Sequence, residues 1–202
     1  MKKYIIIALF VCVCWLGWQY HQALIQQQAT LLVEEAYYGN LVGVKDAVEQ
    51  GGRLDYVLNF TDPDRQYNNQ TFDALQAAAS GGNAKIILFL LEQQMNINSI
   101  TPEGWTPLFI ATRDGRADAA KVLVFSGADL NAQTNLGTTA LTMVVTQDYP
   151  TEKERLDLLE YMLKRGADPN LTDVYNHTPL YYAQVKNNQA AVALLKQYVT
   201  KP

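Results

Sequence analysis

Cysteine is missing from everything beyond Cys14 in this chain of 202 residues. Cys12 and Cys14 both lie in the first apolar stretch. The remainder therefore has no disulfide framework, thiolate nucleophile or cysteine-based zinc site, and is indifferent to the redox state of its compartment. Histidine is as scarce, with only His21 and His177. The zinc-protease pattern H-E-x-x-H, the nucleophile elbow G-x-S-x-G and the phosphate-cradling glycine loop do not occur. Glu152 and Glu154 read as a charged first helical turn rather than as paired acids. Asp62 and Asp64 read as a solvated turn, because the rest of a calcium-loop spacing is missing. These absences argue against an enzyme and imply no cofactor and no metal.

Runs of basic residues are also missing. Lysine and arginine total 16 against 20 acidic residues, a net charge of −4. Setting aside Lys2 and Lys3 leaves 14 against 20. Nucleic acid is an improbable partner for such a chain, since phosphate contacts need clustered positive charge.

What is present is repetition. SGADLN at 126–131 returns as RGADPN at 165–170. Aligned on these turns, one leucine opens each of five units, at Leu32, Leu75, Leu108, Leu141 and Leu180. Two of the intervals are 33 residues, and the other two are 33 with insertions. Within a unit the apolar spacing is that of two helices. Thr106-Pro107 and Thr178-Pro179 read as helix starts, because threonine caps free N–H groups and proline lacks the N–H that a first helical position leaves unpaired. Ala78 and Ala111 keep the first helix narrow where its neighbours pack. Leu90, Leu91, Val122, Leu123, Met162, Leu163, Leu194 and Leu195 form the apolar stripe of the second. No unit can bury its own apolar face, so the units must stack. Polar residues at both ends, Gln26 to Gln28 and Lys196, Gln197 and Lys201, suit capping units.

The segments Gly104–Gly115 (GWTPLFIATRDG) and Asn176–Ala183 (NHTPLYYA) resemble the opening helix of an ankyrin repeat, and the G-A-D-x-N turns resemble the turn after its second helix. The resemblance implies an all-α solenoid of about five helix-turn-helix units with β-hairpin fingers. The units fall near 29–67, 68–100, 101–133, 134–172 and 173–202. Gln76, Phe109, Thr142 and Tyr181 stand where the family usually has histidine, and Glu35 stands where unit one would have its first alanine. Two insertions interrupt the period. Alternation of Leu54, Tyr56, Leu58 and Phe60, followed by Asp62-Pro63-Asp64, predicts a lengthened hairpin within 53–70. The second insertion, Tyr149–Glu154, falls between the helices of unit four, where Thr151 and Glu154 form a capping-box pattern that restarts the helix.

The N-terminus adds a hydrophobic helix. Two lysines precede Tyr4–Trp18, which carries no charge. No cleavage site or lipobox fits, so residues 1–22 are expected to be an uncleaved signal-anchor in the cytoplasmic membrane, with 23–28 as a linker and 29–202 as the repeat domain. A segment removed after secretion is the alternative. Trp15, Trp18 and Tyr20 suit the far membrane interface, and the lysines hold the N-terminus inside, which places the repeats in a periplasm or exterior. Four N-x-S/T sequons, one of them in the structural turn at Asn170, favour a bacterial host over passage through an endoplasmic reticulum.

The resemblance implies a protein partner held on the concave surface built by finger tips and first helices. By position that surface comprises Gln70, Phe72, Glu103, Trp105, Arg113, Asp114, Leu136, Tyr175, His177 and Lys186, with Thr138 and Gln147 beside them. Trp105 is the leading anchor, since aromatic residues and arginine dominate interface energies; packing against a neighbouring finger is its other reading. The long finger, with Tyr56, Phe60 and Tyr67, is a second surface. Envelope proteins of this kind serve as immunity proteins against secreted toxins or as accessory factors of periplasmic enzymes, and the residues do not choose between the two.

Overall fold

A computed structural model describes residues 2–60 and 70–199, with side chains from Trp15 onward other than 59, 60 and 70. Ten helices pair into five antiparallel hairpins among the described residues. They are α1 (Lys2–Tyr38) with α2 (Leu41–Glu49), α3 (Ala74–Gly81) with α4 (Ala84–Glu92), α5 (Pro107–Arg113) with α6 (Ala117–Phe125), α7 (Ala140–Thr146) with α8 (Glu152–Lys164), and α9 (Pro179–Val185) with α10 (Gln189–Tyr198). The odd-numbered helices pack on one another in sequence, and so do the even-numbered ones, giving two parallel layers. The core lies between them. Leu32, Leu75, Leu108 and Leu141 are fully buried, whereas Leu180 in the last unit is half-buried because no helix follows to cover it among the described residues. Each buried leucine contributes roughly 1.5–3 kcal/mol over leaving it in water.

The helix starts are capped as their letters predict. Thr106, Thr139 and Thr178 accept from the backbone N–H three residues on, and Pro107 and Pro179 occupy the first turn. Unit two uses Asp73, which forms a full reciprocal box with Gln76. In unit four Thr151 accepts from the Glu154 N–H and starts α8 after the insertion.

The repeated turn has a physical explanation. Asn98 accepts from the Asp129 N–H at 2.9 Å, and Asn131 accepts from the Asp168 N–H at 2.8 Å. Each asparagine thus ties its turn to the next. Each aspartate in turn accepts from the asparagine N–H two residues on, as Asp129 does from Asn131. Gly127 and Gly166 supply the left-handed backbone after the second helix, at φ 90° and 100°. Unit two must do the same with Gln94, at φ 63°. A side chain there costs about 1 kcal/mol, so Gln94→Gly is expected to raise the unfolding free energy by about 1 kcal/mol and the urea midpoint with it; an unchanged or lower midpoint would contradict the strain.

The expected long finger is present as β1 (Leu58–Phe60) paired antiparallel with β2 (Gln70–Phe72), Leu58 opposite Phe72. Its turn at Asp62-Pro63-Asp64, with Tyr67, lies outside the described residues. Residues 23–28 are not a linker: α1 runs through them without a break. From Trp18 to Tyr38 the sequence offers no glycine or proline to stop it, and alanine, leucine and glutamine propagate helix well. Gln28 bonds Gln50, and from Ala29 one face of α1 is buried, through Leu32, Val33 and Ala36. Among the described residues no helix is long and apolar enough to cross a membrane. The apolar side chains of Tyr4 to Cys14, on which the anchor expectation rests, lie outside those described.

Candidate protein-binding surface

The finger tips are built by one device used three times. The Thr101 N–H donates to the Trp105 carbonyl, Thr134 to Thr138, and Asp173 to His177. The side-chain oxygens of the same three residues accept from N–H groups within the tip. Neighbouring tips are then tied together: Asn135 N–H to the Glu103 carbonyl at 3.1 Å, and Val174 N–H to the Leu136 carbonyl at 3.0 Å. The last three fingers therefore form a continuous rigid ledge beside the odd-numbered helices.

The ledge is closed at its N-terminal end. Phe72 is 2 % exposed and belongs to the core, which removes it as a partner contact. Its β2 position turns it inward against α3 rather than out at a tip. Trp105 is half-buried; it stacks on Phe109 at 5.9 Å, and the Arg113 guanidinium lies over its ring at 4.6 Å. Arg113 is not a free cation. Its Nε donates to Asp114 at 2.8 Å, Ser80 donates to the same carboxylate at 2.5 Å, and the Arg113 and Asp114 side chains are only 7 % and 2 % exposed. Both were expected to face a partner, and both face the interior. The unit-four insertion closes the floor: Tyr149 donates to the Thr112 carbonyl at 3.0 Å, and burial pushes its hydroxyl well above the ordinary phenol range. Gly115, at φ 67°, allows this approach, since a Cβ there would meet the Asp148 carbonyl at 2.7 Å.

The C-terminal end is open. Leu136, Val174 and Tyr175 are exposed at adjoining tips. From Tyr175 the rings run inward, His177 lying 6.1 Å away and stacking on Tyr181 at 3.9 Å. Tyr181 is 41 % exposed, and Val185 one turn further along α9 is 60 % exposed. Glu103 is exposed, with its side chain accepting from the Thr101 hydroxyl at 2.7 Å, and Lys186 is exposed at the far end of α9. Gln70 lies in β2 with its side chain outside those described. Of the expected surface, Leu136, Tyr175 and His177 thus come together, and Trp105 joins Arg113 in the closed part. Val174 and Val185 went unremarked in the sequence, and Tyr181 was not counted among the surface residues. The signal for Tyr181 was available, because an aromatic ring stands there in place of the family's histidine.

Asp173 anchors the open end. Burial raises its carboxyl, but the Tyr182 hydroxyl and the N–H groups of His177 and Tyr175 outweigh that and hold it below the ordinary carboxylate range. The same bond with Asp173 pushes the Tyr182 hydroxyl up to about 12. The lowered carboxylate gives stability that is present above about pH 3.9 and lost as pH falls further. The raised phenol gives stability that is complete below about pH 10 and lost as pH rises through 12. Tyr182→Phe is therefore expected to cost about 1 kcal/mol at neutral pH. The gap should shrink towards both extremes, and a thermal-melt comparison showing one pH-independent gap would overturn this account.

A separate cleft of about 720 Å³ lies between the long finger and the third, over Asp73, Gln76 and Ile100. Burial raises the Asp73 carboxyl, against hydrogen bonds from Ser99 and the Gln76 and Leu75 backbone. Among the described residues no group of three or more histidine, cysteine, aspartate or glutamate side chains could hold a metal ion.

Residues 35–134 match the family profile described as ankyrin repeats in three copies. Over those residues the chain is similar to ankyrin repeats. Similar proteins include "Ankyrin repeat, SAM and basic leucine zipper domain-containing protein 1" from Colobus guereza, 30 % identical over 121 residues that cover 60 % of this chain and 25 % of the relative. The protein of that name from Dasypus novemcinctus is 29 % identical over 130 residues, covering 64 % of this chain and 26 % of the relative. The one from Ornithorhynchus anatinus is 30 % identical over 123 residues, covering 61 % and 26 %. All three are mammalian proteins, and this chain spans about a quarter of their length. The profile match ends at residue 134, yet α7 to α10 continue the stack in the same geometry. The open part of the ledge lies beyond the matched repeats. Ankyrin repeats are in general protein-interaction modules without catalytic activity.

Proposed function

We propose that the protein is a non-catalytic binding module that holds a protein partner on the open end of its ledge, with residues 1–22 anchoring it in a membrane and the repeats displayed outside the cytoplasm. The observation that carries the reading is the run of exposed apolar and aromatic side chains Leu136, Val174, Tyr175, Tyr181 and Val185 across two adjoining repeats. Scattered apolar residues on a surface need no explanation, but a continuous rim on rigid backbone is what interfaces use. The membrane part rests on the charge-free stretch Tyr4–Trp18 behind two lysines and on exposed Trp15, Trp18 and Tyr20.

A photo-crosslinking residue placed at Tyr175 of the full chain in its native cells is expected to trap a protein, and one placed at exposed Phe125 on the opposite layer is not. Equal trapping from both positions, or none from Tyr175, would sink the assignment. Carbonate washing of membranes should leave the full chain in the pellet and release a chain lacking residues 1–22.

A further inference from the structure

Units three and five carry the same aromatic arrangement in register, and only one of them is completed. In unit three Trp105, Phe109 and Arg113 follow one another down the ledge. The two rings stack at 22°, and the chain's own guanidinium covers the tryptophan. In unit five the same three places hold His177, Tyr181 and Val185. These two rings stack more closely, at 3.9 Å and 9°. The position that supplies the guanidinium in unit three is here a valine, and both Tyr181 and Val185 are open to solvent.

We propose that an arginine side chain of the protein partner occupies this vacant place, lying against the stacked His177–Tyr181 pair as Arg113 lies against the Trp105–Phe109 pair in unit three. Charge favours it. Asp173 bonds three donors beneath the rings, and no lysine or arginine pairs with it among the described residues. The chain as a whole is acidic, at −4. A guanidinium suits the site better than an ammonium, since it stacks flat on an aromatic face and gives up its water more easily. Lys186 does not fill the place itself; it caps the far end of α9 and is exposed.

This inference rests on the reading of the ledge as a protein-binding surface, and its test separates the two. The full chain in detergent micelles, carrying carbon-13-labelled tyrosine, is titrated with a blocked Ala-Arg-Ala tripeptide and with its citrulline counterpart, which keeps the shape without the charge. The arginine peptide should move the Tyr181 ring signals, and the citrulline peptide should need at least tenfold higher concentration. Val185→Arg gives unit five its own guanidinium and should abolish the response, whereas Val185→Gln, polar but shorter and uncharged, should retain it. Both substitutions fall on a solvent-exposed position, so folding is preserved, and unchanged signals from the other tyrosines confirm it. Equal response to the two peptides, a Tyr181 ring that does not respond, or an undiminished response in Val185→Arg would overturn the inference. If the Tyr175 cross-link persists while any of these occurs, the ledge remains a binding surface and only the arginine assignment falls.

Discussion

Asp114→Ala is expected to destabilise the fold by about 3–5 kcal/mol, the usual effect of stranding one member of a buried ion pair. The carboxylate accepts from Arg113 through two nitrogens, at 2.8 and 3.0 Å, and from Ser80 of the preceding unit. Removing it leaves a guanidinium 7 % exposed beside Trp105, and a buried hydroxyl without this acceptor. Arg116 ties the same junction by donating to the Ser80 carbonyl at 3.0 Å, so the loss falls on the seam between α3 and α5. Because a stack is stabilised by neighbouring interfaces, the units on either side should loosen together. Asp114→Asn keeps one acceptor oxygen but loses the charge and turns the other oxygen into a donor, and it should fall between the wild type and the alanine variant. Urea unfolding followed by circular dichroism measures both. A change below about 0.5 kcal/mol, typical of a surface substitution, would show that the pair is not buried as described.

Phe72→Ala carries the second large effect, about 3–5 kcal/mol for a fully buried aromatic ring cut back to a methyl group. Phe72 is among the largest fully buried side chains, and it belongs to the continuous core from its place in β2, which packs on α3. Phe72→Leu keeps most of the volume and should cost about 1–2 kcal/mol. The pair of variants separates packing from recognition. A stability loss graded with volume marks a core residue, whereas full stability with weakened partner binding would mark the interface contact that its sequence position suggested. Any loss of binding in Phe72→Ala at temperatures where Phe72→Leu still binds would follow from unfolding.

The fold was legible because its signals are local and repeated. A threonine three residues before the N–H it caps, a glycine after a helix, and a leucine at a fixed phase each act within a few residues. Five leucines in phase, with the threonine cap in three of the units, left little room for another arrangement. The insertions were legible for the same reason, since they break a known period. Gln94 and Asn176 stand where the period calls for glycine, and their left-handed backbone was invisible in the letters. The stack imposes it.

The binding surface was legible only as a set of places. Phe72, Trp105, Thr138 and His177 are equivalent by position, and the sequence treats them alike. They are unlike in space: the first is core, the second lies beneath its own arginine, and the last is part of an open ledge. That difference depends on what the neighbouring unit and the insertions bring over each place. Tyr149 reaches Thr112 from 37 residues away, and Ser80 reaches Asp114 from 34. Such contacts obey no spacing rule.

By itself, then, the sequence determined the helical hairpins, their caps, their order and their need to stack, because these follow from backbone geometry and apolar period within one unit. Which aromatic faces are sealed and which stay open, and whether Arg113 meets a partner or Asp114, only the tertiary structure decided. Burial is a property of what lies across an interface, and the units that meet there are separated along the chain by a full repeat.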